Sequence, residues 1–400
     1  MSTLPARPGG RRTRILYVSD TGGQLGGAER SLLSLVQHLD PAQFDLHIVL
    51  GADGRFASLL REAHVNVATV RLGVIARTRN PLKLMLYAFR FIFGVLRLWA
   101  IIRRRRIDIV HINKNTLVIY AIPAAWLAGA ACVWHVRNPV GNFGRLGAWL
   151  VRHCDHLLAV SESVAAPFRK AFAEANAKIT LVPEGIDPAP YSTGAGADAF
   201  RCEVGAKPGQ LLVGTVGRLT PWKGQDDFLR AAAQVAKAHP AALFLIVGDC
   251  ISSPAEAAAD RAYRDRLHAL ASELGLEGNV AFTGFREDVA AVMNALDVFV
   301  LPSHEEPFGI VVLEAMAAAR PIVATRAGGV TDIVRDGKEA LLVPPRDPAA
   351  LAGAISQLLA DPARAQALGK AAQARVTGEF PLWRHAALVR QVYGELMEVR

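Results

Sequence analysis

Short apolar runs rich in β-branched residues alternate, along almost the whole chain, with longer stretches whose apolar residues recur at helical spacing. Runs at Thr13–Ser19, Phe44–Leu50, Val65–Leu72, Asp108–Ile112, Ala131–Val136, His156–Val160 and Lys178–Val182 read as buried strands. Pro183 to Gln210 is rich in Pro, Gly and Ala, has weak periodicity and reads as a linker. A second series follows, with strands at Leu211–Val216, Ala242–Val247, Asn279–Phe282, Asp297–Leu301 and Pro321–Ala324. Its helices fall near Gly224–His239, Ala257–Leu274, Asp288–Ala295, Ile310–Ala319 and Pro348–Leu359. Alternation of this kind predicts doubly wound parallel sheets, so the expected fold is α/β with two Rossmann-like domains facing each other across a cleft. The expected boundaries are a flexible tail at 1–12, an N-terminal domain at 13–190 and a C-terminal domain at 191–380. A helix at 381–400 can fold back on the N-terminal domain.

Composition adds limits. A chain of 400 residues exceeds one ordinary core, and half its residues are apolar with no low-complexity block. The first dozen residues lack an apolar core segment and read as a loose tail, not a signal peptide. Cys132, Cys154, Cys202 and Cys250 are widely spaced, which indicates neither a disulfide framework nor a zinc site and suits a reducing cytoplasm. A net charge of +9 favours anionic partners without choosing among them. No aromatic-interleaved basic surface marks a nucleic-acid binder, and no nucleic-acid partner is expected.

Three stretches carry candidate binding chemistry. The loop Asp20–Gly27, D-T-G-G-Q-L-G-G, joins the first strand to a helix and lets backbone approach a phosphate at the helix N-terminus. It is not G-x-G-x-x-G, which disfavours a dinucleotide. In Val216–Asp226, Arg218 and Lys223 flank a turn just before a helix, an arrangement suited to clamping a diphosphate. In Ser303–Pro321, Glu306 lies in the loop after a strand and Glu314 lies one and a half turns into the next helix. Two carboxylates over a helix N-terminus suit a polyhydroxylated ligand that also bears anionic oxygens. His135 sits at a strand's carboxyl end with Arg137 and Asn138 just beyond, where a neutral imidazole can donate or accept a hydrogen bond.

Pro81–Arg106 differs from the rest. Lys83, Arg90, Arg97 and Arg104 recur every seven residues along one stripe of a helix that is apolar over most of its circumference. Spanning a bilayer would place Arg90 and Arg97 in hydrocarbon, at roughly 2.5–3.5 kcal/mol each. Lying in the interface avoids that cost, and Arg103, Arg104, Arg105 and Arg106 can meet acidic headgroups. The expectation is contact with an acidic membrane surface; a partner groove or an ordinary sheet-covering helix are the alternatives.

With these pieces in order, the chain resembles the retaining glycosyltransferases of the GT-B fold, in the large sequence family 4 of nucleotide-sugar transferases. The resemblance is carried by G-G-A-E-R at Gly26–Arg30, D-I-V-H at Asp108–His111, A-V-S-E-S at Ala159–Ser163 and V-P-E-G-I-D at Val182–Asp187. V-G-R-L-x-x-x-K-G at Val216–Gly224 and P-S-H-E-E-P-F-G-I-V-V-L-E at Pro302–Glu314 are its most specific segments. It implies that Glu306 binds the donor sugar's hydroxyls, helped by backbone N–H groups around Phe308, Gly309 and Ile310. It implies that Glu314 takes the ribose hydroxyls, and that Arg218 and Lys223 neutralise the diphosphate leaving group in the role a metal plays elsewhere. No metal and no cofactor are then expected. Gly26 and Gly27 approach the diphosphate, Arg286 neighbours the nucleobase, and His135 lines the sugar or acceptor side; His135 and Glu306 are the residues set at the reacting sugar. The implied activity is hexose transfer from a nucleotide-diphosphate sugar, and the basic apolar helix points to a lipid-linked or cell-envelope saccharide acceptor at the inner face of the cell membrane. A membrane-docked nucleotide-sugar-binding protein without turnover, or an epimerase or phosphorylase of the same fold, stand as alternatives. The chain departs from the pattern twice. Ala319 stands where Gly is common, and Glu184 stands where Asn is usual, the latter with no chemical consequence evident from sequence.

Overall fold

The structure is a computed structural model that describes residues 11–20, 26–73, 80–141, 143–250 and 257–399. The first seven apolar runs become parallel strands: β1 (Thr13–Val18), β2 (Phe44–Leu50), β3 (Asn66–Thr69), β4 (Ile109–Ile112), β5 (Ala131–Val136), β6 (His156–Ala159) and β7 (Ile179–Leu181). Their order in the sheet is β3-β2-β1-β4-β5-β6-β7. Register places Ile15 opposite Ile109 and Ile109 opposite Ala131. Every residue of β4 and β5 is buried, as parallel strands covered on both faces require. Chain direction across the sheet reverses between β1 and β4, so the loops leaving those strands part and open a crevice at their carboxyl ends. The C-terminal helix Leu382–Glu398 belongs to this unit, and its Ala386, Val389, Val392 and Tyr393 complete the core around Ile15, Tyr17 and Leu158.

Six further strands form the second unit: β8 (Leu212–Val216), β9 (Leu243–Val247), β10 (Val280–Gly284), β11 (Val298–Leu301), β12 (Ile322–Thr325) and β13 (Leu341–Val343). Their order is β10-β9-β8-β11-β12-β13, with the reversal between β8 and β11. The described residues up to Glu184, with those from Leu382 on, form one compact unit, and those from Gly185 to Pro381 form the other.

The stretch expected as a linker is built into the second unit. Its helix Ala197–Glu203 buries Phe200, and Arg201 donates to the carbonyl of Ala295 at 2.7 Å. The helix Pro362–Glu379 and strand β13 were not evident from apolar pattern. The helix carries few large apolar residues, and its signal lies at its start: Asp361 accepts from the N–H of Arg364 at 2.9 Å, with Pro362 in the first turn.

The long basic helix runs Pro81–Arg105, with the Asn80 side chain accepting from the N–H groups of Leu82 and Lys83. Gly94, Val95, Leu98 and Ile102 are its buried stripe. Gly94 lies against the Tyr120 ring, where an added Cβ would come within 2.6 Å.

Candidate functional site

In the second unit the site is made by the loops leaving β8 and β11, the two strands at the topological switch. The β8 loop carries Arg218 and turns through Pro221–Lys223 to Gly224, whose φ of 68° starts the helix Gln225–Ala238. A Cβ at Gly224 would lie 2.1 Å from the carbonyl oxygen of Pro302, so only glycine lets this loop seat on the β11 loop. The seat is fastened by the N–H of His304, which donates to the carbonyl of Trp222 at 2.8 Å, and by His304 Nε2 at 2.7 Å from Asp227.

Seating brings Lys223 and Glu306 together. The Lys223 ammonium lies 2.5 Å from Glu306 Oε2, and Ser303 Oγ donates to the same oxygen at 3.2 Å. Glu306 is 6 % exposed. Gly309, at φ 104°, turns the chain from Phe308 into the helix Ile310–Ala317. The first turn of that helix, in which the N–H of Val312 donates to the carbonyl of Gly309 at 2.8 Å, therefore follows directly on the Glu306 loop and turns its N-terminus toward it. Phe308 is buried against Phe380 and serves as an anchor for the turn. Glu314 faces Tyr191, whose hydroxyl donates to its Oε1 at 3.1 Å. Arg218 has no ion pair among the described residues, and its Nε is buried without a hydrogen-bond partner there. A half-buried guanidinium with an unsatisfied N–H calls for an anionic acceptor.

Arg286 makes no hydrogen bond or ion pair with this cluster among the described residues. Its guanidinium donates to Asp288 at 2.9 and 2.8 Å and to Glu203 at 2.5 and 3.1 Å, and it lies over the Phe200 ring. With those donors engaged, it acts as a clamp between the helix Ala197–Glu203 and the loop after β10. Asp226, Asp227 and His304 bring one ligand atom each within 4.8 Å of one another, the one such grouping among the described residues.

In the first unit, Gly26 caps the helix Gly27–Gln37 and Gly27 is its first residue, while positions 21–25 of the glycine loop lie outside the described residues. His135, the last but one residue of β5, is fully buried. Its Nδ1 lies 3.2 Å from His111 Nε2 and 3.3 Å from an Arg137 nitrogen, and its ring stacks on His385. His135 Nε2 is buried and has no partner among the described residues. Burial, then the neighbouring Arg137 charge, holds the pKa of His135 and of His111 well below the usual imidazole range. Both are neutral at pH 7.

Arg137 and Glu184 were not among the residues expected to matter. They form a buried ion pair, with Ser31 bonded to both. The consequence of a glutamate at 184 is thus a carboxylate for a buried guanidinium. Burial pulls Arg137 down to about 9, opposed by the carboxylate of Glu29. Lys114 pairs with Glu29 at 2.7 Å, so the carboxyl ends of β4 and β5 share one charged network with the first helix.

On the long helix, Lys83, Arg90, Arg97, Arg103, Arg104, Arg105 and Arg106 are all exposed. So are Leu82 (71 %), Met85 (62 %), Phe89 (63 %) and Phe93 (66 %), with Ile92 and Leu96. Its length and hydropathy reach those of a membrane-crossing helix, and 22 % of its most apolar window is buried. The outer face is apolar and basic at once.

Two sheets, each with its polar cluster at the switch point, are matched by two family models. Residues 25–190 match Glycosyltransferase Family 4 and residues 197–375 match Glycosyl transferases group 1. The chain is 35% identical over 246 residues to glycogen synthase of Mycobacterium tuberculosis, covering 62% of this chain and 55% of the relative. It is 33% identical over 293 residues to D-inositol 3-phosphate glycosyltransferase of Nocardia farcinica, covering 72% and 61%. It therefore spans less than two thirds of the length of these curated relatives. Among solved structures it is similar to Anabaena Alr3699/HepE in complex with UDP and glucose, with TM-score 0.80 and 25% identity over 96% of this chain and 99% of that one. The chain belongs to family 4 of the glycosyltransferases and has the GT-B fold.

Proposed function

We propose that this chain transfers a hexose from a nucleotide-diphosphate sugar to an acceptor with retention of anomeric configuration. The observation that carries the reading is the Arg218, Lys223 and Glu306 cluster at the start of the helix Ile310–Ala317. It combines a guanidinium with no ion pair among the described residues, an ammonium shared with a carboxylate, and a helix N-terminus. Breaking a sugar–phosphate bond leaves a diphosphate that gains charge and a sugar centre that becomes oxocarbenium-like. Arg218, Lys223 and the helix N-terminus stabilise the first. Glu306 accepts from sugar hydroxyls once Lys223 turns to phosphate, Glu314 accepts from ribose hydroxyls, and the Nε2–H of His135 is a donor for a sugar oxygen. With two cations on the leaving group, no metal is required. No carboxylate is placed as an evident nucleophile, which favours a front-face route in which the leaving phosphate takes the acceptor's proton.

A complex of HepE with UDP-glucose makes a uridine-linked hexose the first donor to try. The exposed apolar and basic face of the long helix supports docking at the cytoplasmic face of the cell membrane and an acceptor that is lipid-linked or a cell-envelope saccharide. The test is incubation of the protein with an α-linked UDP-hexose and a membrane-lipid extract, with and without chelator. An α-configured glycolipid by NMR, formed equally in chelator, is the expected product. A β-configured product overturns retention, and loss of turnover in chelator overturns metal independence.

A further inference from the structure

We infer that Arg137, held in place by Glu184, is a positioning residue that fixes His135 in the tautomer with its proton on Nε2. The argument starts from donor count. His135 and Arg137 are two apart at the end of β5, so their side chains leave on the same side of the strand. An Arg137 Nη lies 3.3 Å from His135 Nδ1. A guanidinium has no acceptor, so Nδ1 accepts and the neutral ring carries its proton on Nε2. His111 Nε2 lies 3.2 Å from the same Nδ1, and His111 Nδ1 lies 2.6 Å from the Tyr393 hydroxyl, which itself donates to the Tyr17 hydroxyl at 3.2 Å. The Arg137 contact alone fixes a donor on Nδ1, and the ring's proton is thereby left to Nε2.

That nitrogen is buried without an acceptor among the described residues. A buried N–H of this kind is costly unless a ligand satisfies it, and a sugar oxygen has the right chemistry. Arg137 is aimed by its other donors. Its Nε bonds Asn113 Oδ1 at 3.1 Å, and one Nη bonds Ser31 Oγ at 2.9 Å and pairs with Glu184, itself 3 % exposed. An asparagine at 184 offers no charge to a buried guanidinium, so the arginine and the glutamate belong together. The departure at 184 is in this reading half of a device that acts on His135 through Arg137.

The test reads the tautomer directly. In protein carrying ¹⁵N-labelled histidine, the His135 resonances are identified by their loss in His135→Gln. At pH 7 the expected wild-type spectrum shows an unprotonated Nδ1 and a protonated Nε2. In Arg137→Met/Glu184→Gln, which removes both charges and the donor, the Nδ1-protonated form appears. The kinetic arm rests on the transferase reading above: kcat falls about 10- to 100-fold while KM for the nucleotide sugar stays within about twofold. A wild-type ring protonated on Nδ1, or an unchanged tautomer in the double variant, overturns the inference. The wild-type spectrum decides even where the variant fails to fold. A protein without turnover whose His135 shows the expected tautomer defeats the transferase reading and leaves this inference standing.

Discussion

Single residues in this chain carry costs that can be read out. Ala319 closes the helix Ile310–Ala317 at φ 54°, with its N–H on the carbonyl of Met316 and that of Arg320 on Ala315. This is a Schellman-type end whose left-handed position normally holds glycine. Ala319→Gly is therefore expected to raise the unfolding free energy by about 1 kcal/mol, measured by urea denaturation. An unchanged or lowered midpoint contradicts the strain. The left-handed conformation was foreseeable, because the chain places alanine where glycine is common. The partner of Glu184 was not foreseeable. Nothing local in V-P-E-G-I-D points to Arg137, and only the sheet brings the end of β5 beside that segment. Lys223 and Glu306 were singled out from their loops. Their mutual contact was not, because β8 neighbours β11 across a reversal that chain order does not reveal.

Among elements, strands with several β-branched residues were legible nearly to the residue: β2 and β5 match their apolar runs end to end. β13 was lost because three apolar residues beside a Pro-Pro pair make too short a run. The long helix is read most sharply by the contrast between its buried stripe and its exposed leucines and phenylalanines. If that face lies in a lipid interface, replacing Arg103–Arg106 with glutamine removes charge attraction of about 1 kcal/mol per residue. Co-sedimentation with vesicles rich in acidic lipid is expected to fall steeply for that variant and to be weak for both forms with neutral vesicles. Equal binding to acidic vesicles contradicts the assignment.

β4, β5 and the C-terminal helix each contribute one buried histidine to a common cluster, His111, His135 and His385. Burial, then the Arg137 charge, pushes His385 down to about 4 from an ordinary 6.5. The folded form thus refuses a proton that the unfolded chain accepts. Stability is complete above pH 6.5 and is lost as pH falls from there toward 4, by about 1.4 kcal/mol per unit for each such histidine. Urea midpoints at pH 7 and pH 5 measure this. Equal midpoints contradict neutral burial of the cluster.

At the scale of the whole molecule, each sheet reverses direction once and sets polar side chains at that point: the His135 and Arg137 network on one, the Arg218, Lys223 and Glu306 cluster on the other. The second cluster is the proposed donor site, and the account stands on it. Its most direct test is thermal unfolding of the wild type and of Arg218→Ala across a panel of nucleoside-diphosphate hexoses headed by UDP-glucose. A ligand at a hundred times its Kd stabilises the folded form by about 2.7 kcal/mol, several degrees in Tm. The account predicts that shift for at least one donor in the wild type and its loss in Arg218→Ala. No shift with any donor, or the same shift in the variant, contradicts it.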